Sequence, residues 1–180
     1  MILKSFFKKF YINLILLVII FILDRVSKTL IIYLSDKSNA SELYTSKFLN
    51  ISLVWNEGIA FGLFSFDKNY LYNSMTIVIC FVILIVFVMM IKSSKFKRYS
   101  LCMILGGALG NLFDRIFYKA VPDFIDFHIN SFHWFIFNLA DIFTTLGVFS
   151  MILAEFFVKK KNIYKNEKKY ILSYSVIIFL

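Results

Sequence analysis

A single proline and six glycines among 180 residues rule out a linker-rich or fibrous chain. The two cysteines, Cys80 and Cys102, lie inside apolar runs without the spacing of a disulfide framework or thiolate metal site, and read as small core residues. Charge is scarce and lopsided: 17% of residues are charged, and 20 Lys/Arg against 11 Asp/Glu give a net charge of +9. There is no G-x-S-x-G, no HExxH and no Walker A glycine-lysine motif, so serine hydrolase, metalloprotease and P-loop readings have no anchor. No internal repeat is evident, which leaves an inverted-repeat transporter without support.

What the chain does have is hydrocarbon. It is 60% hydrophobic and contains 23 Phe, more apolar surface than a soluble domain of this size can hide. The composition therefore implies a single integral membrane domain over residues 1–180. A helix needs about 20 apolar residues to span a bilayer, and four segments qualify, at about 10–34, 70–91, 99–118 and 139–158.

The basic residues set an orientation. Segments 1–10, 92–98 and 159–169 hold 13 Lys/Arg and one acidic residue, whereas 35–69 and 119–137 hold four basic and six acidic residues. The positive-inside rule then puts both termini in the cytoplasm and the two long connections outside. Basic clusters beside apolar runs are a juxtamembrane pattern, so nucleic acid is not the expected partner. The apolar stretch at about 170–180 is too short to span and has no assigned role.

In the first outer connection, Ile51, Leu53 and Trp55 alternate with Asn50, Ser52 and Val54, the period of a short half-buried strand. Asn56-Glu57-Gly58 then supplies turn chemistry. The expected fold is an all-α membrane protein of four transmembrane helices with a small extracytoplasmic β-element in that loop.

Polar groups inside such a chain need a partner or a task. Asp24 and Lys28 share a helix face at i,i+4 and can neutralise one another. Gly106 and Gly110 form a GxxxG for close helix approach, and Gly107, Asn111 and Asp114 make a polar stripe. Arg115, next in sequence to Asp114, reads as its ion-pair partner. Asp123, stiffened by Pro122, and Asp126 fall in the second outer connection, where loop carboxylates are usually solvated. Asn138 and Asp141 suit a helix cap, although Thr145 extends their polar face into the membrane. His128 and His133 lack helical i,i+4 spacing and sit in an aromatic loop without cysteine, so no metal is expected there. Carboxylates gathered at the outer rim of a helix bundle can share a proton and activate water. Spacing alone does not separate that chemistry from a proton relay in a small transporter, or from polar residues that only fix helix register in an assembly protein.

Five stretches together narrow the choice: DRVSK at 24–28, NEGIAFG at 56–62, GGALGNLFDR at 106–115, VPDFIDF at 121–127 and FNLAD at 137–141. In this order they resemble the bacterial lipoprotein signal peptidases, or signal peptidase II, over roughly residues 10–158. The resemblance implies an aspartyl endopeptidase of the cytoplasmic (inner) membrane. Such an enzyme cleaves diacylglyceryl-modified prolipoproteins just before the lipidated Cys, near the extracytoplasmic face. It implies Asp123 and Asp141 as the catalytic pair, with Asp24, Lys28, Asn56, Gly58, Asn111, Asp114, Arg115 and Asn138 in binding or supporting positions. It further implies no cofactor or metal, membrane lipid as a partner, and inhibition by globomycin-type cyclic peptides. Pro122 replaces a valine common in the family, a mild departure.

Overall fold

The computed structural model describes residues 2–57, 68–93, 95–130 and 132–157. Gly58 and the apolar stretch at about 170–180 lie outside the described residues. Helix α1 runs Ile2–Ser38, followed by strands β1 (Glu42–Thr45) and β2 (Leu49–Asn56). Helices α2 (Lys68–Lys92) and α3 (Lys95–Phe117) come next, then β3 (Val121–Ile129) and β4 (Phe132–Phe137), and last α4 (Leu139–Phe157).

Among the described residues, three helices are long and apolar enough to cross a membrane: Tyr72–Lys92, Phe96–Phe117 and Leu139–Phe157. Helix α1, of 37 residues, is about 55 Å long at about 1.5 Å per residue, but it carries Asp24, Arg25 and Lys28 along its length. It overruns its apolar segment and stops at a C-terminal cap. Asn39 takes φ 49°, and the amides of Asn39 and Ala40 bond back to the carbonyls of Asp36 and Ser35. That double closure around a left-handed residue satisfies carbonyls the helix would otherwise leave open.

Helix α3 is the centre of the bundle, packed against both α1 and α2. Its glycines permit the close approach of α1. A Cβ on Gly106 would lie 2.8 Å from Ile20 Cγ2, and one on Gly110 would lie 2.5 Å from Asp24 Oδ2. Leu101, Cys102 and Leu105 of α3 form an apolar core with Met90. The outer faces of α2 and α4 instead leave Ile77, Val78, Phe81, Phe149 and Phe156 exposed, surface compatible with lipid and not with water.

The β-structure is larger than the sequence suggests. The expected small element in the first connection is half of an antiparallel sheet of order β1-β2-β3-β4, completed by two strands from the second connection. VPDFIDF is therefore a strand and not a loop, and β3 pairs with β2 from Leu49↔Phe127 to Asn56↔Val121. The sheet sits at the end of the bundle where α1 and α3 finish and α4 begins. Asp123 from the second connection is thereby fixed beside Asn138 at the start of α4 and near Lys28 of α1.

Candidate active site

The polar residues form two layers. The inner layer joins α1 to α3. Lys28, only 1% exposed, directs its ammonium to three acceptors: Asp24 Oδ1 at 3.0 Å, Asp114 Oδ2 at 2.6 Å and Asn111 Oδ1 at 2.8 Å. An ammonium has three protons, so this group is saturated. Arg25 donates to both oxygens of Asp114, to Asp24 Oδ2 at 2.6 Å and to the Gly110 carbonyl at 3.1 Å. Its guanidinium also lies 4.7 Å from the Phe113 ring centroid, a cation–π contact. Two buried anions and two cations cancel, which such a setting requires.

Arg115 does not fill the role expected of it. Consecutive helical residues point about 100° apart and do not face one another, so the partner of Asp114 comes from 89 positions away, as Arg25. Arg115 instead lies over the Tyr72 ring, with its carbonyl accepting the Tyr72 hydroxyl at 3.2 Å. Arg25 is the residue the sequence reading missed; it neighbours Asp24 inside DRVSK, but its reach to α3 is set only by helix packing.

The outer layer contains Asp123 and Asp141. Asp123, 4% exposed on β3, accepts from Asn56 Nδ2 at 2.9 Å and Asn138 Nδ2 at 2.6 Å. Asp141, on the first turn of α4, accepts from Asn111 Nδ2 at 2.8 Å and from the Asn138 amide at 3.0 Å. The Asp141 amide in turn donates to Asn138 Oδ1 at 3.2 Å, so Asn138 and Asp141 form a reciprocal capping box. The cap is real, but it does not consume the pair. The Asn138 amide group reaches past the helix to Asp123 and, at 3.2 Å, to Asn111 Oδ1. One asparagine thus ties both carboxylates into one unit, without a direct hydrogen bond between them among the described contacts. Asp24 completes the frame by accepting the Ala140 amide at 3.1 Å.

These two carboxylates have no cation of their own, since Lys28 and Arg25 are committed to the inner layer. Burial pushes the Asp123 carboxyl above its ordinary range, against the hydrogen bonds of Asn56 and Asn138 that lower it, and the nearby Asp141 charge pushes the same way as burial. Asp141 occupies a helix N-terminus, where negative charge is favoured.

The surroundings of the pair differ on its two sides. Asp123 opens onto a cavity of about 400 Å³ lined by Val54, Trp55, Asn56, Glu57 and Ile136. Asp141 with Thr145 borders a wider groove of about 600 Å³, walled by aromatic side chains that include Phe48, Trp134 and Phe137. Asp126 is elsewhere: three positions from Asp123 on a strand, it projects from the opposite face. There it meets Asn50 at 3.3 Å and His133 Nδ1 at 2.8 Å.

Residues 16–157 match the family model described as signal peptidase (SPase) II. The chain belongs to the signal peptidase II family. It is therefore a peptidase of a membrane enzyme family. The chain is 51% identical over 161 residues to a lipoprotein signal peptidase of Pelagibacter ubique, an alignment covering 89% of this chain and 96% of that one. A lipoprotein signal peptidase of Anaplasma marginale is 40% identical over 148 residues, 80% of this chain and 84% of the relative. A solved bacterial membrane enzyme superposes with a TM-score of 0.65 at 29% identity, over 79% of this chain and 90% of its own. As a signal peptidase II member, the chain places DRVSK, GGALGNLFDR, VPDFIDF and FNLAD, together with Asn56, around one buried polar core at the sheet end of the bundle.

Proposed function

We propose that this signal peptidase II member is an aspartyl endopeptidase that removes the signal peptide from diacylglyceryl-modified prolipoproteins, with Asp123 and Asp141 as the catalytic pair. The carrying observation is that these are the two carboxylates of the core left without a cation, held together by Asn138. Two neighbouring carboxylates of this kind are most stable sharing one proton. Asp123, whose carboxyl is raised by burial, holds that proton, and Asp141 serves as base.

In the proposed reaction, Asp141 takes a proton from a water lying between the pair as its oxygen attacks the carbonyl preceding the lipidated Cys. Asp123 donates its proton to the carbonyl oxygen. Collapse of the tetrahedral intermediate passes a proton to the departing amine, breaks the C–N bond and returns the pair to one shared proton. Asn56 and Asn111 hold the two carboxylates at fixed angles, so their contribution is positional. The polar cavity over Asp123 and the aromatic groove beside Asp141 suit a substrate that is peptide on one side and hydrocarbon on the other.

In this reading the whole chain is one membrane domain. Helix α1 is the fourth span, tolerable in lipid because Asp24, Arg25 and Lys28 neutralise one another and Asp114 inside the bundle. The basic segments place both termini in the cytoplasm and the sheet outside the inner membrane. Lipid is the medium of the substrate's acyl chains, and globomycin-type peptides are the expected inhibitors. The test is purified protein with matched precursors, one carrying the diacylglyceryl Cys and one unlipidated. Mass spectrometry should show a cut immediately before Cys in the lipidated precursor alone; cleavage elsewhere, or equal cleavage of both, refutes the assignment.

A further inference from the structure

We propose that Asp126, His128 and His133 form a site for one divalent transition-metal ion of the zinc class, on the opposite face of the sheet from Asp123. The chain has only two histidines, and the β3–β4 hairpin brings both to one place. His128 and His133 are register partners across the hairpin, and their rings stack with centroids 5.0 Å apart. Asp126 precedes His128 by two residues and so shares its face of β3. On β4 the pairing slips by one residue, Asp126↔Ile136 being followed by His128↔His133, a bulge of the kind that re-aims side chains. Each of the three presents a ligand atom, all within 4.8 Å of one another. The sequence argument against a metal rested on the lack of helical spacing and of a nearby cysteine; the first does not apply to a hairpin, and histidine and carboxylate ligands do not require the second.

The hydrogen bonds of the site leave it incomplete. Asp126 is 5% exposed, and its Oδ2 lies 3.3 Å from Asn50 Nδ2 and 2.8 Å from His133 Nδ1. Its Oδ1 is buried without a partner, and so is His128 Nδ1. Buried polar atoms are rarely left so, and an ion pair between Asp126 and His133 accounts for neither. A metal ion bound by the carboxylate and both imidazoles satisfies the two together. Two nitrogens and a carboxylate oxygen are a donor set zinc accepts, with a fourth position for water. Ligands about 2.0–2.1 Å from a tetrahedral ion stand about 3.3–3.4 Å apart. Binding therefore requires that His133, half exposed at its side chain, ease back from its 2.8 Å contact, and that ligand atoms now up to 4.8 Å apart draw together around the ion. Since β4 runs directly into the Asn138 cap, an ion here would clamp the hairpin that delivers Asn138 and Asp141, without touching the reacting atoms.

The test uses the full-length protein in detergent, freed of any affinity tag and stripped with chelator. Zinc chloride is titrated by calorimetry and by its effect on thermal unfolding; cobalt(II) chloride is followed by its visible absorption. The expected result is one ion per chain, a raised unfolding temperature, and cobalt bands of a low-coordinate nitrogen-ligated site. Binding should weaken at least about tenfold in both His128→Gln and Asp126→Asn. Absence of saturable zinc binding at micromolar concentration overturns the proposal. So does binding of unchanged strength in both variants, which marks an adventitious ion. If either variant fails to fold, the cobalt spectrum of the unaltered protein decides, because octahedral, oxygen-ligated cobalt also overturns it.

Discussion

Replacing Lys28 by Met tests the inner layer of the core. The side chain is 1% exposed, and its ammonium is the shared partner of Asp24, Asp114 and Asn111. Methionine keeps the length and apolar stem but leaves two buried carboxylates facing Arg25 alone. Removing one member of a buried ion cluster costs about 3–5 kcal/mol because an uncompensated charge remains. At about 2–4 °C per kcal/mol for a protein of this size, the unfolding midpoint in detergent should fall by about 6–20 °C. Adding Asp114→Asn should recover part of that loss, since Asp24 and Arg25 then balance, a coupling of about 0.5–3 kcal/mol. A cost below about 1 kcal/mol for Lys28→Met, or strictly additive losses in the double variant, would refute the charge-balance argument. The substitution should also move the alkaline limit of activity upward, because the Lys28 charge lowers the Asp123 carboxyl.

Asn138→Ala removes the α4 cap and the link between the two carboxylates. The loss should be about 1.5–2.5 kcal/mol, combining a cap of about 1 kcal/mol with a hydrogen bond to the protonated Asp123 carboxyl of about 0.5–1.5 kcal/mol, together with a drop in kcat; thermal unfolding and cleavage rates check both. The raised carboxyl of Asp123 gives a pH dependence of definite sign. The folded protein holds this proton more tightly than the unfolded chain, so the stabilisation is full below the ordinary Asp value of about 3.9 and is lost as pH rises through the raised value. Stability curves against pH should show this component in the native protein and lack it in Asp123→Asn.

The helical part of this architecture is written in long apolar runs. The polar part is only partly so. The Asp24–Lys28 contact follows from i,i+4 spacing and is present at 3.0 Å. The pairing of Asp114 with Arg25 depends on how α1 and α3 cross, a tertiary fact that local sequence does not encode. Strands β3 and β4 escaped notice for physical reasons. Pro122 argues against an interior strand, yet it stands near the start of β3, opposite Trp55. FHWFIF in β4 is a mostly aromatic run without the polar alternation that marks a one-sided strand. Once β3 is a strand, its two aspartates must point to opposite faces. That alternation separates Asp123 from Asp126, which the sequence left among solvated loop carboxylates.

The central claim is that Asp123 and Asp141 do the chemistry. It is tested most directly by the single-turnover cleavage rate of a diacylglyceryl-modified precursor by native protein, Asp123→Asn, Asp141→Asn and Asp126→Asn, each checked for native unfolding behaviour. The account predicts a loss of at least about a hundredfold for each of the first two variants, as expected when a proton-transfer group is removed, and near-native cleavage by Asp126→Asn. Cleavage at the native rate by a folded Asp123→Asn or Asp141→Asn protein would contradict it.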